Sequence, residues 1–224
     1  MSFEKFFQGI APKYASPVQK GRVEIIEHES GAKVKKVTWI GSDFDHFDHS
    51  LAKDLTDFFK PAGSPDVFRH DCDGVILFEE DGRKYMFLTE LKSNFCTQKL
   101  LEAKTQIASS FLKTNMLLHL SLCYKLEDYT IKGFIVGRPP KSDFKVSLHK
   151  GSMLSDKQKE REYDLAKRLL ILSRTQSATF RPYELFCLRG LPLGNRGLFP
   201  EIELHFIEVH EPASEITLDI RNYI

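Results

Sequence analysis

The sequence predicts a mixed α/β fold in which helices alternate with strands along the chain. Short apolar runs of strand-like composition are separated by segments whose apolar residues recur with helical spacing. Their order, ββ–α–ββ–α–β–α–ββ, interleaves the two kinds of element and so indicates the α/β class. With 42% hydrophobic residues, the 224-residue chain can bury a sizeable core. We therefore expect one domain over residues 1–224.

The N-terminal part of the chain is expected to contain an arm, a hairpin and a helix. Residues 1–21 start with phenylalanines and are then interrupted by prolines, so they predict an arm. Residues 22–40 predict a hairpin that turns at Ser30-Gly31. Asp48 or Ser50 would cap the helix that follows. The apolar stripe of that helix consists of Leu51, Leu55, Phe58 and Phe59.

The middle of the chain predicts a strand hairpin followed by a long helix. Two apolar strands, about 73–79 and 84–91, flank Asp81-Gly82, and Asp-Gly is a strong signal for a tight hairpin. An amphipathic helix should then occupy about 97–119. The remaining predicted elements are a strand within 129–140, a charged helix within 155–174, and strands over 183–190 and 201–209.

The composition limits the classes of function. Lys plus Arg (32) nearly equals Asp plus Glu (31), so no overall basic excess marks the chain as a general nucleic-acid coat protein. The four cysteines are scattered without a CxxC pair, which disfavours a zinc site and a disulfide framework. The first residues lack the basic-then-apolar order of a signal peptide, and no apolar run reaches the roughly 18 residues of a membrane span. We therefore expect a cytoplasmic protein without a membrane partner.

The second strand of the central hairpin carries charges at the end where it should enter the core. Side chains alternate along a strand, so Glu90 and Lys92 face the same side as the apolar Leu88. In an antiparallel hairpin that turns at 81–82, Asp73 is the partner of Glu90. Two carboxylates at this separation repel each other unless a cation intervenes. Mg²⁺ or Mn²⁺, which prefers oxygen ligands and retains bound water, would relieve this repulsion.

This arrangement resembles the core of the PD-(D/E)xK nuclease superfamily, which includes many restriction endonucleases and Holliday-junction resolvases. The resemblance rests on Asp73, two apolar strands, the tripeptide Glu90-Leu91-Lys92 and the helix that follows, and it covers about residues 50–140. It departs in one respect, because Asp73 follows Cys72 and not a proline. Pro65-Asp66 lies upstream but precedes no predicted strand, so Asp73 is the preferred acid.

The resemblance implies a restriction endonuclease-like fold, that is, a mixed β-sheet flanked by helices with the nuclease core at about 50–140. It implies that Asp73, Glu90 and the Leu91 carbonyl bind Mg²⁺ (or Mn²⁺). It also implies that Lys92 is the catalytic lysine, which would orient or deprotonate the attacking water or neutralise charge that develops on the phosphate.

Two helices are expected to add residues to this site. In many members of the superfamily the helix after the core strands presents a glutamine or another polar residue, and here Gln106 is that candidate. An acid on an earlier helix would be Asp54 or Asp57. The implied partner is nucleic acid, in particular DNA, and a homodimer is expected if both strands of a duplex are cut.

The sequence thus predicts a metal-dependent nuclease that hydrolyses phosphodiester bonds in DNA. Residues that would track the phosphates are Lys33, Lys35, Lys36, Arg138 and Lys141. One alternative is a catalytically inactive nuclease-like protein that binds nucleic acid or serves as a scaffold. The other is a different hydrolase whose metal is held by acids and imidazoles, although such residues also cap helices. That cluster consists of Asp43, Asp45, His46, Asp48 and His49.

Overall fold

The computed structural model describes residues 3–47, 49–141, 143–144, 146, 157–194 and 197–224. Within these ranges the protein is a mixed α/β structure with two mixed sheets and four helices. No helix in this part of the chain has the length and apolar character that a membrane crossing requires.

Nine strands and four helices make up the described fold. The strands are β1 (Arg22–Ile26), β2 (Lys36–Ile40), β3 (Asp45–Phe47), β4 (Gly74–Glu80), β5 (Arg83–Lys92), β6 (Tyr129–Gly137), β7 (Ser177–Phe180), β8 (Ile202–Glu208) and β9 (Glu215–Asp219). The helices are α1 (Phe3–Ile10), α2 (His49–Phe59), α3 (Thr97–Leu118) and α4 (Lys157–Lys167). A π-helical turn, Arg168–Leu172, continues α4.

The larger sheet has six strands in the order β3-β4-β5-β6-β8-β7. Strands β5, β6 and β8 run parallel to one another at its centre, and the outer pairs are antiparallel. The smaller sheet has the order β1-β2-β9, in which β2 pairs antiparallel with β1 and parallel with β9. The parallel connections in both sheets identify them as mixed sheets.

The six-stranded sheet lies between the helices and the smaller sheet, and each of its faces has its own core. On β5, Met86 and Leu88 pack with the helices. The alternate residue Phe87 packs with Trp39 of the smaller sheet. Trp39 also donates a buried hydrogen bond from Nε1 to Thr89 Oγ1 at 3.2 Å. The alternation of a strand thus places Glu90 and Lys92, which follow Leu88 in steps of two, on the face of the helices.

Helix α3 lies close to the sheet because β6 has a glycine beneath it. A Cβ atom at Gly133 would lie 2.4 Å from Leu204 Cδ2 and 3.0 Å from Ile107 Cγ2. Only a residue without a side chain allows this approach. Ile107 therefore contacts the sheet directly, and its neighbour Gln106 is brought to the end of β5.

Three predicted elements are confirmed closely. The hairpin of residues 22–40 forms with Ile26 opposite Lys36. The central hairpin differs from its predicted bounds by one residue at each strand end. Asp81 and Gly82 both have positive φ (50° and 72°), as a two-residue hairpin turn requires. The helix predicted over 97–119 is α3.

The prediction of a strand over residues 183–190 is wrong. This stretch forms two 3₁₀ turns, Pro182–Glu184 and Phe186–Leu188, and the strand of this region, β7, precedes them. Proline cannot donate to a strand ladder. Leu185 and Leu188 are both buried, and their spacing of three matches a 3₁₀ turn better than the alternation of a strand.

The N-terminal segment, expected to be an arm, contains a packed helix. Three phenylalanines of α1, Phe3, Phe6 and Phe7, are buried in the core between the helices and the sheet. Their i, i+3, i+4 spacing is the pattern of one helical face. The rings of Phe3 and Phe7 both contact Phe47 at the end of β3.

Candidate functional site

The central hairpin brings Asp73 and Glu90 together, as its predicted register requires. Gly74 pairs with Thr89, so the next residues outward on the two strands are Asp73 and Glu90. Because β4 begins at Gly74, it does not pair with the last residues of β5 after Thr89. On this unpaired edge of β5, the main-chain N–H of Leu91 donates instead to Asp73 Oδ2 at 2.6 Å.

Lys92 and Gln106 complete the group. The ammonium of Lys92 donates hydrogen bonds to the Glu90 carboxylate and, at 2.7 Å, to Gln106 Oε1. Gln106 in turn donates from Nε2 to the carbonyl of Asp71 at 3.0 Å. The structure therefore brings together all five residues that the sequence singled out: Asp73, Glu90, Leu91, Lys92 and Gln106.

Both carboxyl groups are electrostatically perturbed. Glu90 is 2% exposed, and its Oε2 has no hydrogen-bond partner among the described residues. Burial, and then the nearby Asp73 carboxylate, raise the pKa of Glu90 well above its usual range, against the opposing effect of Lys92. Burial also raises the pKa of Asp73 to about 7, and the Glu27 carboxylate is the next contributor. The site therefore contains two carboxyl groups, of which the single ammonium of Lys92 can neutralise only one.

Glu27 is an electrostatic neighbour that the sequence did not reveal. The side chain of Ile25 packs on Gly74, where an added Cβ would lie 2.7 Å from it. The ladder continues one residue further through the hydrogen bond from Glu27 N–H to the Lys35 carbonyl at 2.9 Å. Alternation places Glu27 on the same face as Ile25, beside Asp73. No local pattern could predict this contact, because it depends on how the two sheets stack.

The segment that leads into β4 is fixed to α3 by buried hydrogen bonds. The N–H of Cys72 donates to Ser110 Oγ at 2.7 Å. The carbonyl of His70 accepts from Ser109 Oγ at 2.5 Å and from the buried ammonium of Lys113. Burial lowers the pKa of Lys113 to about 8. These contacts fix the chain immediately before Asp73 relative to the helix that carries Gln106.

Replacing Ser110 with alanine should destabilise the protein by about 1–3 kcal/mol, because the buried Cys72 N–H then loses its acceptor. Urea unfolding at neutral pH measures the change. Ser109→Ala is the matched control, and its effect should be smaller, since the His70 carbonyl keeps Lys113 as a donor. Equal losses of unfolding free energy in Ser110→Ala and Ser109→Ala would contradict the role assigned to the hydrogen bond of Ser110.

A groove opens at Lys92 and Gln106, with a volume of about 540 Å³. The exposed face of α3 contributes Lys99 and Glu102 to its lining, and the segment before β4 contributes Asp66 and His70. Lys99 and Glu102 form an ion pair of 2.6 Å. Lys92 and Gln106 are thus reached from solvent through a groove that carries both signs of charge, and neither Asp73 nor Glu90 is part of its lining.

The two acids proposed on the earlier helix lie elsewhere. Asp54 is exposed and accepts hydrogen bonds from Tyr14 and, at 2.8 Å, from Lys13. Asp57 pairs with Lys60 at 3.4 Å. These contacts tie α2 to the N-terminal segment and to its own last turn, so neither acid is directed to Asp73 and Glu90.

The described residues of the Asp/His cluster have different neighbours and do not form a single group. Asp43 pairs with Lys20 at 2.8 Å and accepts from the Gly21 N–H at 3.0 Å. Asp45 and His46 are successive residues of β3, so their side chains leave on opposite faces. Asp48 and the side chain of His49 lie outside the described residues. In the described part of the chain, no group of three or more His, Cys, Asp or Glu side chains is arranged to hold a metal ion.

The basic residues proposed to track phosphates have separate roles. Arg138 donates to the carbonyls of Val209, Ala213 and Lys33, so its guanidinium holds three chain segments together. Lys36 pairs with Glu215 at 2.8 Å.

Other basic residues remain near the groove. The N–H of Lys33 donates to Ser93 Oγ at 2.7 Å, which places the β1–β2 loop beside the end of β5. Lys33, Lys35 and Lys141 are exposed. Lys33 and Lys35 are therefore the exposed lysines that this loop offers.

Comparison with protein-family models, with curated proteins and with solved structures finds no match to this chain. The functional interpretation therefore rests on the chemistry of the site itself.

Proposed function

We propose that the protein is a divalent-metal-dependent nuclease that hydrolyses phosphodiester bonds in DNA. The observation that carries the proposal is the group formed by Asp73, Glu90, Lys92 and Gln106 at the open end of the central hairpin. Burying a carboxylate such as Glu90 costs free energy unless all its oxygens are paired, and strongly perturbed acids of this kind cluster at functional sites.

The residues present fit a hard divalent cation. Asp73 and Glu90 supply carboxylate oxygens, and the unpartnered Oε2 of Glu90 is an acceptor without a donor among the described residues. Leu91 directs its N–H toward Asp73, and in an extended strand the carbonyl of the same residue points to the same side. These three groups would hold Mg²⁺ or Mn²⁺, with water as the remaining ligands. The bound ion would polarise the phosphate and favour ionisation of a coordinated water.

Lys92 would act on the phosphate and on the attacking water. Its ammonium is held between Glu90 and Gln106 before any substrate arrives, so little reorganisation is needed during the reaction. From this position it orients the water and stabilises negative charge that develops on the phosphate oxygens. Gln106 is a positioning residue, because its own amide is anchored to the Asp71 carbonyl.

The shape of the site favours a long, exposed substrate over a small enclosed one. Lys92 and Gln106 line an open groove, whereas the Glu90 carboxylate beside Lys92 is buried behind them. Lys99 lines the groove, and the main chain of the exposed Lys33 is bonded to Ser93 just after β5, so these two lysines are the candidates for contact with a backbone that crosses the groove. The net charge of +1 offers little long-range attraction, so DNA binding should be modest.

Lys92→Met tests the proposed function. Cleavage of a labelled DNA duplex in millimolar Mg²⁺ or Mn²⁺ should slow by about 10²–10³-fold, because a fixed donor to the reacting phosphate is lost. Lys132→Met is the matched control. Lys132 also forms an ion pair with a strand glutamate, Glu203 at 2.7 Å, but on the opposite face of the sheet. That variant should cleave at the wild-type rate.

Other outcomes would change the assignment. Equal cleavage by Lys92→Met and wild type would remove Lys92 from the site. DNA binding by the wild type without cleavage in either metal would support the inactive nuclease-like alternative. Activity that is lost in His46→Ala and retained in Lys92→Met would transfer the reaction to the Asp/His cluster.

A further inference from the structure

We propose that His70, oriented by Asp66, is a second catalytic residue that protonates the leaving oxygen of the scissile phosphodiester. This inference rests on the proposed nuclease function. Neither residue belongs to the Asp-Glu-Lys group, and both come from the segment that precedes β4.

His70 shares the groove with the proposed catalytic lysine. His70, Lys92 and Gln106 all line this groove. A short path connects the two sides, because Gln106 bonds both to Lys92 and to the carbonyl of Asp71, the residue next to His70. A phosphodiester held at Lys92 would therefore have one of its two ester oxygens directed toward the wall that carries His70.

The position of His70 is fixed by its main chain and not by its ring. Its carbonyl accepts hydrogen bonds from Ser109 at 2.5 Å and from Lys113, and Thr56 Oγ1 lies 3.4 Å from the same atom. The side chain is left 42% exposed on the groove. A residue anchored in this way can change its side chain without loss of the local fold.

The imidazole is oriented by a carboxylate. His70 Nε2 lies 3.2 Å from Asp66 Oδ2, within hydrogen-bond distance. When Nε2 donates to Asp66, the ring plane is set and Nδ1 is the nitrogen that remains for a substrate.

The proposed step balances without a further reactant. The oxygen of the attacking water, oriented by Lys92, forms the new P–O bond and releases its proton to solvent. The P–O bond to the leaving group breaks, and its electron pair stays on the leaving oxygen. The imidazolium of His70 transfers its Nδ1 proton to that oxygen, which departs as an alcohol. The neutral imidazole then takes a proton from solvent.

The test compares two leaving groups at one mapped cleavage position. One duplex has the normal bridging oxygen, and the other has sulfur in place of the leaving bridging oxygen, since a thiolate departs without a proton. His70→Gln should slow cleavage of the normal bond by about 10²-fold or more, as loss of a general acid does. Its rate on the sulfur substrate should stay within about tenfold of the wild-type rate. Asp66→Asn should show the same pattern with a smaller loss.

His119→Gln is the matched control, because α3 separates His119 from Gln106 by about 20 Å at 1.5 Å per residue. It should leave both rates unchanged. Equal rates for His70→Gln and wild type on the normal bond would overturn the role of His70 and leave the nuclease proposal intact. Equal losses on both substrates would also overturn it, since they indicate a role in binding. Absence of cleavage by the wild type would overturn both proposals.

Discussion

Replacement of Glu90 by glutamine should lower metal-dependent DNA cleavage by at least about 10³-fold without lowering thermal stability at pH 8. The loss of rate follows because the amide cannot replace the carboxylate as a ligand for a divalent cation. The stability should be equal or higher, because burial and Asp73 disfavour the charged form of Glu90. Glutamine has the same shape without the charge and keeps an acceptor for Lys92. Initial rates and melting temperatures of the same preparations provide the comparison.

Glu203→Gln is the matched control, because we expect it to lower the melting temperature without lowering the rate of cleavage. Glu203 also pairs with a lysine, but the His205 imidazole at 3.4 Å, followed by Lys132, lowers the pKa of Glu203 to about 2. Its charge therefore stabilises the fold, so the control should melt at a lower temperature and cleave DNA normally. A Glu90→Gln variant that cleaves within tenfold of the wild type, or that melts below Glu203→Gln, would contradict the assignment of this site.

The metal-free protein should lose stability as the pH rises from about 4 to about 7. The pKa of Asp73 is raised on folding from 3.8 to about 7, so the folded state binds this proton more tightly than the unfolded state. Its contribution is complete below pH 4 and is lost as the pH passes through about 7. A shift of this size corresponds to at most about 4 kcal/mol. Glu90, whose pKa is also raised, acts in the same direction. Urea unfolding in a chelator at several pH values measures the slope.

Divalent cation should reverse this loss, because it binds the ionised carboxylates and therefore stabilises the folded state most at high pH. Mg²⁺ should raise the midpoint of unfolding more at pH 8 than at pH 5. Asp73→Asn should flatten the pH dependence and remove the effect of Mg²⁺. Asp54→Asn is the control, because Lys13 and Tyr14 lower the pKa of Asp54, so its titration lies below this range. A wild-type stability that is flat between pH 4 and 7 would show that Asp73 is not perturbed.

The sequence predicts the central hairpin because everything needed to specify it is local. Asp81-Gly82 selects a two-residue turn, the turn fixes the register, and the register pairs Asp73 with Glu90. The helical period of α3 then determines which of its side chains face the sheet. Gln106 was predicted from the resemblance to the PD-(D/E)xK superfamily, as a residue on the polar side of this helix.

Contacts between distant segments were not predictable in this way. The parallel pairing of β2 with β9 joins residues 36–40 to 215–219, and no local pattern encodes it. Glu27 reaches Asp73 only through the stacking of the two sheets. Asp66 was set aside in favour of Asp73, and His70 was not singled out, because their local sequence suggests only a loop. Their place in the groove of Lys92 depends on where α3 packs. The expectation that Asp54 or Asp57 lies at the site was not met for the same reason. Helical spacing does not show which face of a short surface helix is directed toward a distant group.

The close approach at Gly133 sets a tolerance for substitution that extends to the candidate site. A methyl group at this position would force Leu204 to move and would press on Ile107, and a shift of α3 that relieved this contact would move the adjacent Gln106 and alter its 2.7 Å hydrogen bond to Lys92. If the proposed function holds, selection for it therefore also acts on Gly133, which has no functional group of its own. Among chains that share this site, the size of that one residue should vary less than that of exposed groove residues such as Lys99 and Glu102.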